Sequence, residues 1–130
     1  MFEKLKALHE NSYAKYSNFP VSAIIVTKDG KEYNGVNVEN CAYPSGLCAE
    51  RSAIVGAISN GVKKGDFKEL NLLTSSSKVG TPCMACRQVI LELFDKDAIV
   101  RCFAMTGEYV EYTVAELCPY AFDEDDLNKI

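Results

Sequence analysis

The sequence has little histidine, no long apolar run and no excess of basic residues, and each shortage excludes a class of function. His9 is the only histidine and lies far from other candidate ligands, which excludes a histidine-ligated zinc site. No apolar stretch approaches the length of a membrane-spanning helix, and residues 1–10 lack the apolar core of a signal peptide. We therefore expect a cytoplasmic protein with no membrane partner.

The balance of charge argues against a nucleic-acid polymer as partner. The net charge is −4 at pH 7, and acidic residues gather in "DEDD" at positions 123–126. Hydrophobic residues make up 48% of the chain and charged residues 25%, which is typical of a globular protein. Without repeats or linkers, residues 1–130 are expected to form one domain that binds a small molecule.

Apolar periodicity and turn signals predict a mixed α/β order of elements. A first helix is expected over residues 2–15, and an Asp-Gly turn in "KDGK" predicts a hairpin between "VSAIIVT" and "EYNGVNV". Two later helices are predicted in "CAERSAIVGAISNG", with Ala53, Ile54, Ala57 and Ile58 at helical spacing, and in "TPCMACRQVILELF".

Three more strands complete this order. They are expected in "ELNLLTSS", "AIVRCFAM" and "EYVEYTV", and a short helical "VAELCP" and an irregular acidic tail follow them. The order of elements predicts a mixed five-stranded sheet covered by helices.

The six cysteines point to metal binding, because a chain without a signal peptide is expected in a reducing compartment. Cys83 and Cys86 form a C-x-x-C at a predicted helix start, where free backbone N–H groups favour thiolates. Redox pairs, structural zinc sites and core cysteines all use this motif. The remaining thiols without a partner at metal spacing are interpreted as core or surface residues: Cys41, Cys102 and Cys118.

Cys48 supplies a possible third ligand at another predicted helix start, with Glu50 two residues further on. Three protein ligands leave the fourth tetrahedral position of zinc to water, which is the arrangement of catalytic sites. Zinc lowers the pKa of such a water to about 7, and a nearby carboxylate can move its protons. A closed structural site that also uses Cys41 is the alternative.

Two longer segments, "NVENCAYPSGLCAERSAI" and "TPCMACRQVI", resemble the zinc-dependent cytidine deaminases of the short, three-cysteine, homotetrameric type. The similarity extends from "YSNFPVSA" to "AFDEDDL" and so covers nearly the whole chain. It implies a three-layer α/β/α fold with one zinc ion per chain. It also implies hydrolysis of cytidine and 2′-deoxycytidine to uridine and 2′-deoxyuridine plus ammonia, in pyrimidine salvage.

The resemblance assigns roles to individual residues. Cys48, Cys83 and Cys86 match the zinc ligands, and Glu50 matches the glutamate that protonates N3 of the pyrimidine and then the departing amino group. Arg51 matches an arginine that hydrogen-bonds ligand sulfurs and offsets the charge of three thiolates.

Further positions match the binding of a nucleoside. Asn37 and Glu39 match residues that hydrogen-bond the ribose hydroxyls, and they are predicted to share one face of a strand. The other matched positions are the base-pocket wall Phe19, the backbone N–H of Ala49, the backbone carbonyl of Thr81, and Val38 between the two ribose ligands.

Tyr43 and Phe122 match residues that one subunit contributes to the active site of its neighbour, so the resemblance implies a homotetramer with shared sites. The sequence departs from the family pattern at Ser22, Met84 and Tyr120. Met84 lies between the two cysteines of the C-x-x-C, where its side chain is expected to press on the ligand loop.

Three alternatives remain open from the sequence. The first is a deaminase of a cytosine-nucleoside antibiotic such as blasticidin S. The second is a non-catalytic zinc domain, and the third is a polynucleotide-editing deaminase, which the acidic balance of charge disfavours.

Overall fold

The structure, a computed structural model, describes residues 1–127. In chain order its helices and strands are α1 (Phe2–His9), β1 (Val21–Thr27), β2 (Glu32–Val36), α2 (Ala49–Ser59), β3 (Phe67–Thr74), α3 (Met84–Leu93), β4 (Ile99–Phe103), β5 (Tyr109–Thr113), α4 (Val114–Leu117) and α5 (Glu124–Leu127). A single 3-10 turn, Tyr43–Ser45, precedes α2.

The strands form one mixed sheet in the order β2-β1-β3-β4-β5. β1 pairs antiparallel with β2 and β3, β3 pairs parallel with β4, and β4 pairs antiparallel with β5. Because α3 connects two parallel strands, it runs back across the sheet and begins at the edge where β3 ends. Its first turn therefore lies at the carboxyl edge of β3.

Alternating side chains divide the apolar residues of the sheet between two faces. One face packs against α2 and α3 through a core that includes Ile25, Leu70 and Val100. The other face packs against α1 through a smaller cluster: Leu5, Ile24, Leu73 and Phe103. These layers confirm the predicted α/β fold with a mixed five-stranded sheet between helices.

The first helix is shorter than predicted, because it ends at His9 rather than near residue 15. Tyr13 forms an isolated parallel bridge with Val38, and its backbone exchanges hydrogen bonds with Asn37 and Glu39. This pairing with a distant segment draws the chain out of the helix. Nε2 of His9 contacts the backbone carbonyl of Leu73 at 2.9 Å. This contact gives His9 a structural role and not a metal-binding one.

Two further predictions were wrong in detail. Ile58, expected among the apolar positions of α2, is 43% exposed, whereas Ala53 and Ile54 are fully buried. The acidic tail, expected to be irregular, contains the short helix α5. The side chain of Asp123, which directly precedes α5, accepts a hydrogen bond from the backbone N–H of Asp125. Within residues 1–127, no helix has both the length and the apolar character needed to cross a membrane.

Candidate active site

Three thiols meet where α2 and α3 begin. The sulfurs of Cys48, Cys83 and Cys86 all lie within 4.8 Å of one another, and those of Cys48 and Cys83 are 3.8 Å apart. A tetrahedral zinc ion with bonds of about 2.3 Å to sulfur requires sulfurs about 3.8 Å apart. The donor set and its spacing therefore fit one zinc ion.

Cys41 does not belong to this group, although a structural four-thiolate site would need it. Within residues 1–127, the three thiols are the only cluster of three or more cysteine, histidine or acidic side chains with metal-ligand spacing. Cys41 is exposed and contacts the side chain of Asn40 instead. A site with three protein ligands leaves room for a water molecule, as catalytic zinc sites do.

Each helix presents a cysteine as its N-cap residue. Cys48 precedes α2 and Cys83 precedes α3, and the sulfur of Cys83 accepts a hydrogen bond from the backbone N–H of Cys86. Burial opposes ionisation of Cys83, but hydrogen bonds from the backbone and thiol of Cys86 and from Cys48 outweigh it and lower the pKa of Cys83. Burial and the nearby carboxylate of Glu50 raise the pKa of Cys86.

Glu50 lies in the first turn of α2 and is only 4% exposed. Burial raises the pKa of its carboxyl above the usual range, although hydrogen bonding with its own backbone and with Cys86, and the charge of Arg51, act in the opposite direction. A carboxyl whose pKa is shifted upward binds and releases a proton more readily near neutral pH. The geometry thus places a buried, titratable carboxyl beside the sulfur of Cys86.

Arg51 follows Glu50 and faces the same cluster. Its Nη2 donates a hydrogen bond to the sulfur of Cys48 at 3.3 Å. Hydrogen bonds with Cys48 and Cys86 raise the pKa of the guanidinium, so the side chain stays cationic beside the thiols. The cation lies where it offsets the negative charge of thiolates.

Gly35 allows α2 to begin close to the sheet. A Cβ atom at Gly35 would lie 2.4 Å from both the carbonyl oxygen of Ala49 and the backbone nitrogen of Ala53. These backbone atoms belong to the first turns of α2, which carry Glu50. The absence of a side chain at Gly35 therefore allows α2 to lie this close to β2, a role that sequence reasoning missed.

Asn37 and Glu39 follow β2 rather than lie within it, so the predicted strand face was wrong in detail. Both side chains nevertheless point toward the segment between α1 and β1. The amide of Asn37 donates to the carbonyl of Phe19 and accepts from the backbone N–H of Val21, each at 2.9 Å. Glu39 accepts the backbone N–H groups of Tyr16 and Ser17, also at 2.9 Å.

An open cavity of about 350 Å³ lies beside Glu39. Tyr16, Ser17 and Tyr43 line it, and the rings of the two tyrosines lie 6.1 Å apart in an edge-to-face arrangement. Tyr43 is 77% exposed, so much of its ring is free of contacts within the chain. The structure thus brings Glu39 and Tyr43 to one cavity.

Phe122 lies elsewhere, on the wall of a second cavity of about 260 Å³ that includes Met84 and Gln88. Its backbone carbonyl accepts a hydrogen bond from Nε2 of Gln88 at 2.6 Å, and its side chain is 56% exposed. Phe122 and Glu39 therefore line separate cavities of one chain.

The remaining predicted site positions flank these groups. Ala49 is fully buried at the first position of α2. Val38 and Phe19 are 45% and 42% exposed, and Val38 bridges Tyr13 and Leu47.

Thr81 is held by Arg87, a residue that sequence reasoning missed. Arg87 donates to the hydroxyl of Thr81, to the carbonyl of Pro82 and to the carbonyl of Leu117, at 2.7, 2.8 and 2.9 Å. It thereby joins the segment before the C-x-x-C to the last residue of α4. Its position next to Cys86 was the only local signal for this role.

The three departures from the family pattern have different structural settings. The side chain of Met84 was expected to press on the ligand loop. It is 68% exposed and so points largely into solvent instead. Ser22 is buried, and its hydroxyl donates to the carbonyl of Leu5, which ties β1 to α1. Tyr120 is fully exposed and has a φ of 56°, a conformation that bulky residues rarely adopt.

Comparison with known proteins identifies the family. A family model described as the cytidine and deoxycytidylate deaminase zinc-binding region matches residues 1–102, which include all three clustered cysteines and Glu50. The chain belongs to this zinc-dependent deaminase family.

Individual deaminases resemble the chain over most of their length. A cytidine deaminase of Sporosarcina psychrophila is 42% identical over 95% of this chain and 89% of that protein. The crystal structure of cytidine deaminase from Burkholderia pseudomallei is 40% identical and covers 93% of this chain and 95% of its own, with a TM-score of 0.89. A blasticidin-S deaminase of Bacillus cereus is 31% identical over 92% of this chain and 85% of that protein.

Proposed function

We propose that this chain, as one domain over residues 1–130, hydrolyses cytidine and 2′-deoxycytidine to uridine and 2′-deoxyuridine with release of ammonia. The observation that carries the proposal is a buried carboxyl, Glu50, beside three thiols spaced for one zinc ion. The 42% identity to a cytidine deaminase supports the choice of substrate.

The proposed ligands of the zinc ion are Cys48, Cys83 and Cys86. Zinc held there supplies a water molecule that ionises near neutral pH. Arg51 donates to the sulfur of Cys48 and offsets part of the negative charge of three thiolates. This compensation would help a zinc ion bound there to remain electrophilic.

Glu50 is the proposed proton carrier. Its carboxylate takes up the two protons that the attacking water loses, and delivers one to N3 of the pyrimidine and the other to the departing amino nitrogen. Burial raises the pKa of this carboxyl, which suits it to hold each proton between its uptake from water and its delivery to the substrate. Because the side chain is only 4% exposed, bulk water has little access to the transferred proton.

The nucleoside is proposed to bind between the sulfurs and the segment before β1. The backbone N–H of Ala49 binds the pyrimidine carbonyl, the backbone carbonyl of Thr81 accepts from the substrate amino group, and Phe19 forms a wall of the base pocket. Asn37, Val38 and Glu39 bind the sugar. Arg87, through its hydrogen bonds to Thr81 and Pro82, supports the carbonyl at the amino group.

The proposed assembly is a homotetramer in which Tyr43 and Phe122 complete the site of a neighbouring subunit. Both side chains are exposed, and Phe122 lines a cavity separate from that of Glu39, so each is available to a second chain. A cytoplasmic role in pyrimidine salvage would follow from the proposed substrates.

The proposal is tested with purified protein whose zinc content has been measured. Addition of cytidine should lower the absorbance in the cytidine band and release ammonia, with one zinc ion per chain. Glu50→Gln should keep its zinc and fold but lose about 10²- to 10⁴-fold in kcat. Zinc-loaded protein that leaves cytidine unchanged would contradict the proposal.

Blasticidin S is the alternative substrate, because a blasticidin-S deaminase is 31% identical to the chain. The same assay separates the two. A higher kcat/KM for cytidine than for blasticidin S, with competition from ribose-modified cytidines, supports the nucleoside. The reverse order would assign the chain to the antibiotic.

A further inference from the structure

Ser17 contacts two residues, Glu39 and Phe19, that are proposed to bind different parts of the nucleoside. Its hydroxyl donates to Oε2 of Glu39, the proposed sugar ligand. The same oxygen accepts the backbone N–H of Phe19, the proposed wall of the base pocket, at 3.1 Å. The Ser17 hydroxyl is therefore engaged both as donor and as acceptor.

The backbone turn around Ser17 is folded onto the carboxylate. Oε1 of Glu39 accepts the N–H groups of Tyr16 and Ser17, each at 2.9 Å. Asn18, the next residue, has a φ of 55°, which asparagine tolerates better than most residues. Its backbone N–H donates to the carbonyl of Ala14 at 2.9 Å and closes the turn.

The arrangement limits which atoms of Glu39 remain for a ligand. A carboxylate offers about four acceptor positions, two on each oxygen. Two N–H groups occupy Oε1, and the Ser17 hydroxyl occupies one position on Oε2. Within residues 1–127, no donor occupies the second position on Oε2, which lies beside the cavity of about 350 Å³ that Ser17 and Glu39 both line.

The side-chain amide of Asn37 also has most of its hydrogen-bonding positions occupied, one of them by the carbonyl of Phe19. Its Nδ2 gives one N–H to the carbonyl of Phe19, and its Oδ1 accepts from Val21 and from the hydroxyl of Ser12. No acceptor in the described part of the chain takes the second N–H of the amide, which is therefore available as a donor. Phe19 is thus tied by its N–H to Ser17 and by its carbonyl to Asn37.

We propose that Ser17 is a positioning residue for substrate specificity, because it fixes the one free acceptor of Glu39 and couples it to the base wall at Phe19. The inference rests on the proposed function. Ser17 itself needs no contact with the substrate. Its hydroxyl directs the open position of Oε2 toward the sugar hydroxyl and holds the Phe19 backbone at the same time.

The test compares cytidine with 2′,3′-dideoxycytidine, which lacks the sugar hydroxyls that Glu39 would bind. For cytidine, Ser17→Ala should raise KM about tenfold, the size expected for a hydrogen bond to a charged group, with kcat changed less than about threefold. For the dideoxy substrate the rise should largely disappear. Ser59→Ala is the control and should behave as wild type on both substrates, because the Ser59 hydroxyl donates to the carbonyl of Val55 within α2.

Two further measurements keep the inference falsifiable. Ser17→Thr retains a hydroxyl and should keep KM for cytidine within about threefold of wild type. In a carbon-13 NMR titration, Ser17→Ala should move the pKa of Glu39 upward toward its ordinary value, because the hydrogen bond from Ser17 is the largest cause of its lowered pKa. The titration does not depend on turnover.

The outcomes separate this inference from the proposed function. Wild-type protein that does not deaminate cytidine contradicts the proposed function, while the titration still tests the coupling of Ser17 to Glu39. An equal rise in KM for both substrates, a loss confined to kcat, or an unchanged pKa of Glu39 would overturn the inference and leave cytidine deamination intact.

Discussion

The two halves of the proposed site, which we call the metal half and the sugar half, are built in different ways. The metal half, formed by Cys48, Glu50, Cys83 and Cys86, lies on the first turns of α2 and α3, which pack on the sheet through a continuous apolar core. The sugar half, formed by Asn37, Glu39 and the turn before β1, lies outside regular strands and is held by side-chain hydrogen bonds.

The difference concerns what each half can do alone. Packing of α2 and α3 on the sheet places the residues of the metal half, so their geometry is complete within one chain. Glu50 in this half is nearly excluded from water. The sugar half borders an open cavity in which Tyr43 is 77% exposed. In the proposed function, the reaction chemistry therefore depends on the packed core, whereas substrate binding depends on a polar surface network and on residues of neighbouring subunits.

The largest expected effect comes from the contact that places the metal half. Gly35→Ala would put a Cβ atom 2.4 Å from backbone atoms of Ala49 and Ala53, and backbone cannot move aside cheaply. We expect the free energy of unfolding to fall by about 3 kcal/mol, with weaker zinc binding, as chemical denaturation and metal titration would measure.

Gly56→Ala provides a matched control on α2. A Cβ atom there would have no neighbour within 4 Å, so the substitution should stabilise the helix by about 0.5–1 kcal/mol. If Gly35→Ala proved as stable as Gly56→Ala, the metal half would not depend on the close approach of β2 and α2.

A smaller effect is expected from the charge beside the thiols. Arg51→Gln removes the cation that donates to Cys48, so zinc affinity should fall about 10- to 100-fold at neutral pH, as a competitive chelator titration would measure. Arg101→Gln is the control, because that arginine pairs with Glu69 and Glu111 on the sheet. Equal zinc affinities for the two variants would contradict the assigned role of Arg51.

The smallest expected effect lies in the sugar half and depends on pH. Hydrogen bonding, above all from Ser17, lowers the pKa of Glu39 in the folded chain. Its contribution to stability is therefore present above the ordinary pKa of 4.5 and is lost as the pH falls through the lower folded value. Glu39→Gln should lose stability less steeply in acid than wild type. Parallel acid-unfolding curves would show that Ser17 does not stabilise the ionised form.

Much of the fold could be predicted because its signals are local. The Asp-Gly turn predicted the hairpin of β1 and β2, and apolar periodicity predicted α2 and α3. The end of α1 could not be predicted, since Tyr13 leaves the helix to pair with Val38, which lies 25 residues later on the chain. Such pairing depends on tertiary structure that periodicity does not encode.

The candidate site likewise has one part that local sequence signals predict and another that depends on long-range contacts. The spacing of Cys48 to Glu50 and of Cys83 to Cys86 is short, so the sequence alone could suggest a metal site. The contacts of Arg87 with Leu117 and of Ser17 with Glu39 join residues 30 and 22 positions apart, and no local pattern pointed to them. These long-range hydrogen bonds could be identified only from the folded structure.

The most direct test of whether subunits share their active sites is complementation between two impaired variants. Glu50→Gln damages the proton carrier and leaves Phe122 intact, whereas Phe122→Ala does the reverse and should lower kcat/KM about 10- to 100-fold. If Phe122 completes a neighbour's site, equal amounts of the two chains assembled together should restore about a quarter of the wild-type kcat/KM per site. Activity that stays at the average of the two separate variants would contradict the account.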